Sequence, residues 1–213
     1  MDFMVLIVLL ISVCVTIAGL FAATTKGLIY LLSLQAFTIG IAELLLLILH
    51  SQLGRELVVN IDFFSLGMEW LFSFALTPLV FYYGMARTEN KRDSPIVSSR
   101  WGSFLIIAII SFLFVIGIWI APSLPRRLEV LPTVLLLLLI SMIITIKSKN
   151  YLKIFIGVNM VENSLLLSMV EGSIYLTSLF LLFVVIIDLI CIYAAKVYYK
   201  ENGTLSIKKN GVN

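Results

Sequence analysis

The sequence predicts an all-α integral membrane protein of about seven transmembrane helices, with no soluble domain of its own. Three observations predict it. Of the 213 residues, 61% are hydrophobic and 13% are charged, against roughly half and a quarter in an ordinary soluble domain. Mean hydropathy is +1.12. Apolar runs of about 20 residues, the length that crosses a bilayer core of about 30 Å, recur from Phe3 almost to Tyr199. Finally, the charges between the runs are sorted by loop.

Taken in order, the expected helices are 3–23, 27–49, 64–86, 102–121, 131–147, 151–170 and 174–198. The first opens on Met1-Asp2 without a basic start or a small-residue cleavage site. It therefore reads as a span rather than a cleaved signal peptide. The second follows Lys26. The third contains Pro78, which removes a backbone donor and is expected to kink the helix, with Thr77 satisfying the freed backbone. Loops 50–63 and 87–101 are the longest, and Pro95 lies in the second of them. Pro122, Pro125 and Pro132 bracket the connection between helices 4 and 5. The polar tail from Glu201 to Asn213 is expected to be mobile.

Charge tests the helix count independently. With seven helices, Lys26, Arg87, Lys91, Arg92, Arg100, Lys147, Lys149, Lys153, Lys196, Lys200, Lys208 and Lys209 fall on one side. Arg55, Arg126 and Arg127 fall on the other, and together these are all 15 Lys and Arg of the chain. Six or eight helices would spoil this segregation. Positive-inside bias then places the N-terminus outside and the C-terminus in the cytoplasm of a prokaryotic cell (inner) membrane. The same alternation makes helices 1–3 and helices 5–7 two three-helix units in parallel orientation, joined by helix 4. The chain divides accordingly into 1–90, the first unit; 91–128, a basic loop and connecting helix; 129–200, the second unit; and 201–213, a polar cytoplasmic tail. Lys26 and Lys149 each precede a helix. Gln35 and Asn159 each sit about ten residues further on, beside Ser33 and Gly157.

Several classes of function are excluded by what the chain lacks. The net charge of +3 belongs to short loops, so it does not indicate nucleic-acid binding. Cys14 and Cys191 lie inside apolar runs without metal-ligand spacing. His50 is the single histidine. No phosphate loop, CxxC or HExxH motif is present, so no cofactor or metal is expected in this chain and a membrane-embedded enzyme ranks last. Trp70, Trp101 and Trp119, with Tyr82, Tyr83, Tyr198 and Tyr199, read as interface anchors, and Lys153 as a side chain that snorkels to the cytoplasmic interface.

Ionisable residues inside apolar helices carry the functional signal, because near the bilayer centre they cost several kcal/mol unless protein or water surrounds them. Asp188 is the sharpest case: no other charge lies between Ser178 and Lys196. Asn159, Glu162 and Asn163 are spaced i, i+3, i+4 on one face of helix 6, where the amides are expected to flank the carboxylate. Gly157 permits close helix approach there. Glu43 lies two-thirds along helix 2, with Gln35 two turns earlier and somewhat off its face. Ion translocation is therefore assigned to Glu162, Asp188, Asn159, Asn163 and Glu43, against the alternative that these groups only hold helices together. Glu69, at the start of helix 3, and Glu171, between helices 6 and 7, read as groups near water.

The stretch Ile156-Gly157-Val158-Asn159-Met160-Val161-Glu162-Asn163-Ser164-Leu165 resembles the second helix of the NuoK/MrpC-type membrane subunits of complex I and of Mrp antiporters. Asn159 stands where that motif has its glutamate, and Glu162 follows one turn later. Over most of its length the chain is similar to the hydrogenase-4 component E (HyfE-like) family. Val161-Glu162-Asn163-Ser164, Asp188, Ser33-Leu34-Gln35-Ala36 and Pro78 match its motifs. The family's lysine before the proline of helix 3 has no counterpart in Ser73-Phe74-Ala75-Leu76, which weakens the carry-over to the first unit. The resemblance implies a non-catalytic membrane-arm subunit of a group 4 [NiFe]-hydrogenase or complex I-related respiratory complex. Its buried carboxylates would take part in proton or sodium translocation. Nickel–iron and iron–sulfur centres or flavin would belong to partner subunits. Partners would be antiporter-like and other membrane subunits with a soluble redox arm, embedded in the lipid bilayer. A self-contained small ion transporter or antiporter, and a purely structural assembly subunit, are the alternatives.

Overall fold

The computed structural model describes residues 3–51, 66–88, 96, 100–120, 123, 130–166 and 174–207. Seven helices make up the described chain, with no strands: α1 (Phe3–Leu20), α2 (Thr25–Ser51), α3 (66–87), α4 (Arg100–Ile120), α5 (Leu131–Lys147), α6 (Tyr151–Leu166) and α7 (Ile174–Asn202). Phe3–Leu20, Thr25–Leu49 and Leu181–Asn202 are long and apolar enough to cross a membrane. Shorter apolar stretches, Phe104–Ile120 and Leu131–Lys147, lie in α4 and α5. Most of loop 50–63, the basic loop with Lys91, Arg92 and Pro95, the residues Pro122, Pro125, Arg55, Arg126, Arg127 and Glu171, and the side chains of His50 and Trp101 lie outside the described residues.

Local chemistry sets the helix ends. Thr24 caps α2: its Oγ1 accepts from the N–H of Gly27 at 3.0 Å, which satisfies one of the free donors of the first turn and starts the helix at Thr25. Asn150 does the same for α6, its Oδ1 accepting from the N–H of Leu152 at 2.9 Å. Pro132 sits in the first turn of α5, where a missing N–H is harmless. Gly203 ends α7 with φ +68°, the left-handed conformation that favours glycine, and its N–H bonds Tyr199 O at 2.7 Å.

Two rows of three helices stack on each other. Within the rows, α1 packs on α2, α2 on α3, α5 on α6 and α6 on α7. Between them, α1 faces α5, α2 faces α6 and α3 faces α7, while α4 packs on α5. Facing helices run parallel. Gly19 near the end of α1 meets Ile144 near the end of α5, and Gly84 near the end of α3 meets Ile192 late in α7. The apolar core lies between the rows, around Leu9, Leu32, Phe81, Leu137, Ile140 and Met160. At Gly157 a Cβ would stand 2.6 Å from Thr145 Oγ1 and 2.9 Å from its backbone N. Only glycine lets α6 come this close to α5.

Two expectations need correction here. Lys153 does not snorkel: it is 1% exposed, and its Nζ donates to Ala22 O at 3.2 Å. The carbonyls left free at the end of a helix draw in a cation, and this contact ties the start of α6 to the α1–α2 turn. The tail is also ordered as far as residue 207. Asn150 and Ser206 form an antiparallel bridge, with Tyr151 N bonding Leu205 O at 3.3 Å and Ile207 N bonding Lys149 O at 2.7 Å. Leu205 supplies the reason, since this apolar residue of the segment is buried. Residues 208–213 lie outside the described residues.

The aromatic anchors divide. Trp119, Tyr82 and Tyr83 are exposed. Trp70 instead lies against Gly40, where a Cβ would overlap its indole, and stacks near Phe37 with centroids 5.7 Å apart.

A candidate carboxyl row between the two helix layers

Asp188 lies in mid-helix on α7 and is 3% exposed. Its Oδ1 accepts from Asn159 Nδ2 of α6 at 2.8 Å, and the Thr77 hydroxyl of α3 faces the same carboxyl. Its Oδ2 is buried without a hydrogen-bond partner. A buried carboxyl oxygen without a partner is uncommon and calls for an explanation. Asn159 Nδ2 also donates to Phe155 O of its own helix at 3.1 Å, which fixes the amide's orientation.

Thr77 is free to face Asp188 because another residue takes the task expected of it. Pro78 leaves the carbonyl of Phe74, four residues back, without its helical partner. Ser33 Oγ of α2 donates to Phe74 O at 3.0 Å. Just before the proline, α3 widens into a π-helical stretch, Leu71–Leu76, and the N–H of Thr77 reaches back to Phe72 O. Such insertions are frequent at functional sites. The extra residue per turn rotates the face of α3 between Glu69 and Thr77.

Glu43 of α2 is 2% exposed and faces the Glu69 carboxyl of α3. No amide or hydroxyl donor reaches either oxygen of Glu43. Two carboxylates are both acceptors, so this contact is a hydrogen bond only with a proton between them. Glu69, half-buried, is thus also a neighbour of Glu43. Glu162 of α6 lies within electrostatic reach of Asp188 and of Glu69. The order Glu43, Glu69, Glu162, Asp188 thus forms a spaced row along the seam between α2, α3, α6 and α7. Among the described residues no three metal-ligating side chains come close enough to hold one metal ion.

The amide pair behaves differently from its sequence reading. Asn159 and Asn163 are each 5% exposed, but Asn159 serves Asp188, and Asn163 Nδ2 is buried without a partner. Neither amide donates to Glu162, which is half-buried at the edge of that face. Asn163 instead lines a narrow crevice with Glu69, Trp70 and Ser73. Gln35 does not join the row either: its Nε2 donates to Thr16 Oγ1 of α1 at 3.0 Å. The sequence reading took Glu69 as a group near water and Thr77 as backbone support and gave Ser73 no role, although their i, i+4, i+8 spacing is a polar stripe. Compared with models of known families, with curated proteins and with solved structures, the chain shows no match.

Proposed function

We propose that this chain is a seven-span, non-catalytic subunit of a multisubunit membrane complex related to group 4 [NiFe]-hydrogenases and complex I. Its carboxyl row relays protons, or sodium ions, in step with redox chemistry carried out by partner subunits. Its N-terminus lies outside and its C-terminus in the cytoplasm. The observation that carries the reading is the setting of Asp188: an acid in the middle of an apolar helix, held by an amide from α6 and faced by a hydroxyl from α3. Further support comes from the row itself, which runs between two parallel layers of three helices, and from the short motifs shared with NuoK-type and HyfE-like subunits. A carboxyl that has one satisfied and one free oxygen accepts a proton on the free oxygen without breaking the bond that positions it. Asp188, Glu162, Glu69 and Glu43 are the stations. Asn159 and Thr77 position the first of them, and Asn163 shares a crevice with the third. The resemblance supplies no redox group for this chain, so electron transfer belongs to its partners.

Purification from native membranes in mild detergent, through a tag after Asn213, tests the proposal. Hydrogenase-like and antiporter-like subunits are expected to co-purify in fixed ratio. Recovery of the chain alone, or only with copies of itself, would overturn it in favour of a self-contained transporter.

A further inference from the structure

Trp70 of α3 occupies a notch in α2. A Cβ built at Gly40 would overlap Nε1 and Cδ1 of its indole, so the ring fills the space that a side chain at Gly40 would take. Phe37, three residues earlier, flanks the seat, its ring 5.7 Å from that of Trp70 and 5.4 Å from that of Phe74. The seat belongs to an antiparallel seam in which Ser33, Gly40 and Glu43 of α2 meet, in turn, Phe74, Trp70 and Glu69 of α3. Trp70 is thus the contact next to the two acids and the residue that follows Glu69.

The place matters because α3 changes its winding there. The π-helical stretch Leu71–Leu76 begins directly after Trp70. Such a stretch carries one residue more than the α-helix it interrupts. Absorbing that residue would turn one end of α3 against the other by about 100°. Within the stretch, Ser33 holds Phe74 O. Ahead of it, the seat of Trp70 in the Gly40 notch fixes the phase, and the adjoining Glu69 follows. The titratable groups that Glu69 meets are Glu43 from α2 and Glu162 from α6.

We infer that Trp70, seated against Gly40, is a positioning residue that sets the helical phase of α3 and so turns the Glu69 carboxyl onto Glu43. The indole itself transfers nothing. The inference rests on the proposed relay only for the task it gives the contact between the two acids.

Infrared titration of the purified full chain in lipid nanodiscs tests it, since it reads protonated carboxyls directly and needs no partner subunit. Glu43→Gln identifies the Glu43 carboxyl band. Gly40→Ala leaves both acids in place and is expected to move the pH at which that band titrates by at least one unit. Trp70→Leu empties the notch without a clash and is expected to move it likewise; should Gly40→Ala fail to fold, it carries the test alone. In a Glu69→Gln background neither change should move the Glu43 band further, because both act through Glu69. A general loosening of the helices would move it in both backgrounds. A titration unmoved by either substitution, or moved equally with and without Glu69, would overturn the inference. Those results leave the proposed function to the co-purification experiment, and recovery of the chain alone in that experiment leaves the infrared result standing.

Discussion

The two halves of the chain place an amide at the same station and use it differently. Gln35, ten residues into α2, donates backward to Thr16 of α1, and Thr16 in turn donates to Ser12 O at 2.8 Å. Asn159, in the matching helix of the second half, donates forward to Asp188 of α7. The first is a bond between neutral groups that closes a local network. The second reaches an ionisable one. The acids differ in the same way. Asp188 has an amide donor on one oxygen, whereas neither oxygen of Glu43 has a hydrogen-bond partner among the described residues and the group it faces is the Glu69 carboxyl. The amide of α2 thus closes on neutral groups, whereas the amide of α6 reaches a titratable one.

Four substitutions sharpen that contrast, from the largest expected effect to the smallest. Asn159→Leu removes the partner of Asp188 Oδ1, and ion translocation in membrane vesicles should fall at least tenfold while the complex still assembles. Normal translocation would reduce Asn159 to packing. Gly157→Ala forces a methyl group onto the Thr145 backbone. Overpacking of this kind costs about 1–3 kcal/mol, so thermal unfolding in detergent should occur at clearly lower temperature. Gln35→Leu leaves Thr16 without its donor and should cost about 1 kcal/mol, with translocation per assembled complex unchanged. A translocation defect equal to that of Asn159→Leu would erase the distinction between the halves. Ser33→Ala exposes the Phe74 carbonyl orphaned by Pro78. It should cost about 1 kcal/mol or somewhat less, read as a small drop in thermal stability.

Much of this was legible in the sequence. Helix number and order followed from the apolar runs, because a run of that length leaves the backbone no better way to satisfy itself in an apolar setting. Asp188, Asn159 and Glu43 stood out because a polar side chain inside such a run needs a partner. What could not be read was who that partner would be. Helical periodicity places residues on a face, but the π-helical stretch at Leu71–Leu76 shifts the phase of α3 by a residue, so Glu69 and Thr77 reach targets that regular spacing misassigns. Pro78 announced an orphan carbonyl, yet the rescuing hydroxyl, Ser33, lies 41 residues away in the chain. Lys153 and the tail segment that carries Leu205 were misread for a similar reason. Each is buried by a contact distant in sequence, with the α1–α2 turn in one case and the α5–α6 turn in the other.

The central claim is that Asp188 transfers the ion rather than merely pinning α7 to α6. Asn at this position keeps the size and one acceptor oxygen while removing the exchangeable acid. The decisive measurement is ion translocation per electron transferred in vesicles containing the assembled Asp188→Asn complex, with subunit stoichiometry checked in the same sample. The account predicts wild-type stoichiometry and at least a tenfold loss of coupled translocation. An unchanged ratio in a fully assembled complex would contradict it and leave the carboxyl row a structural feature.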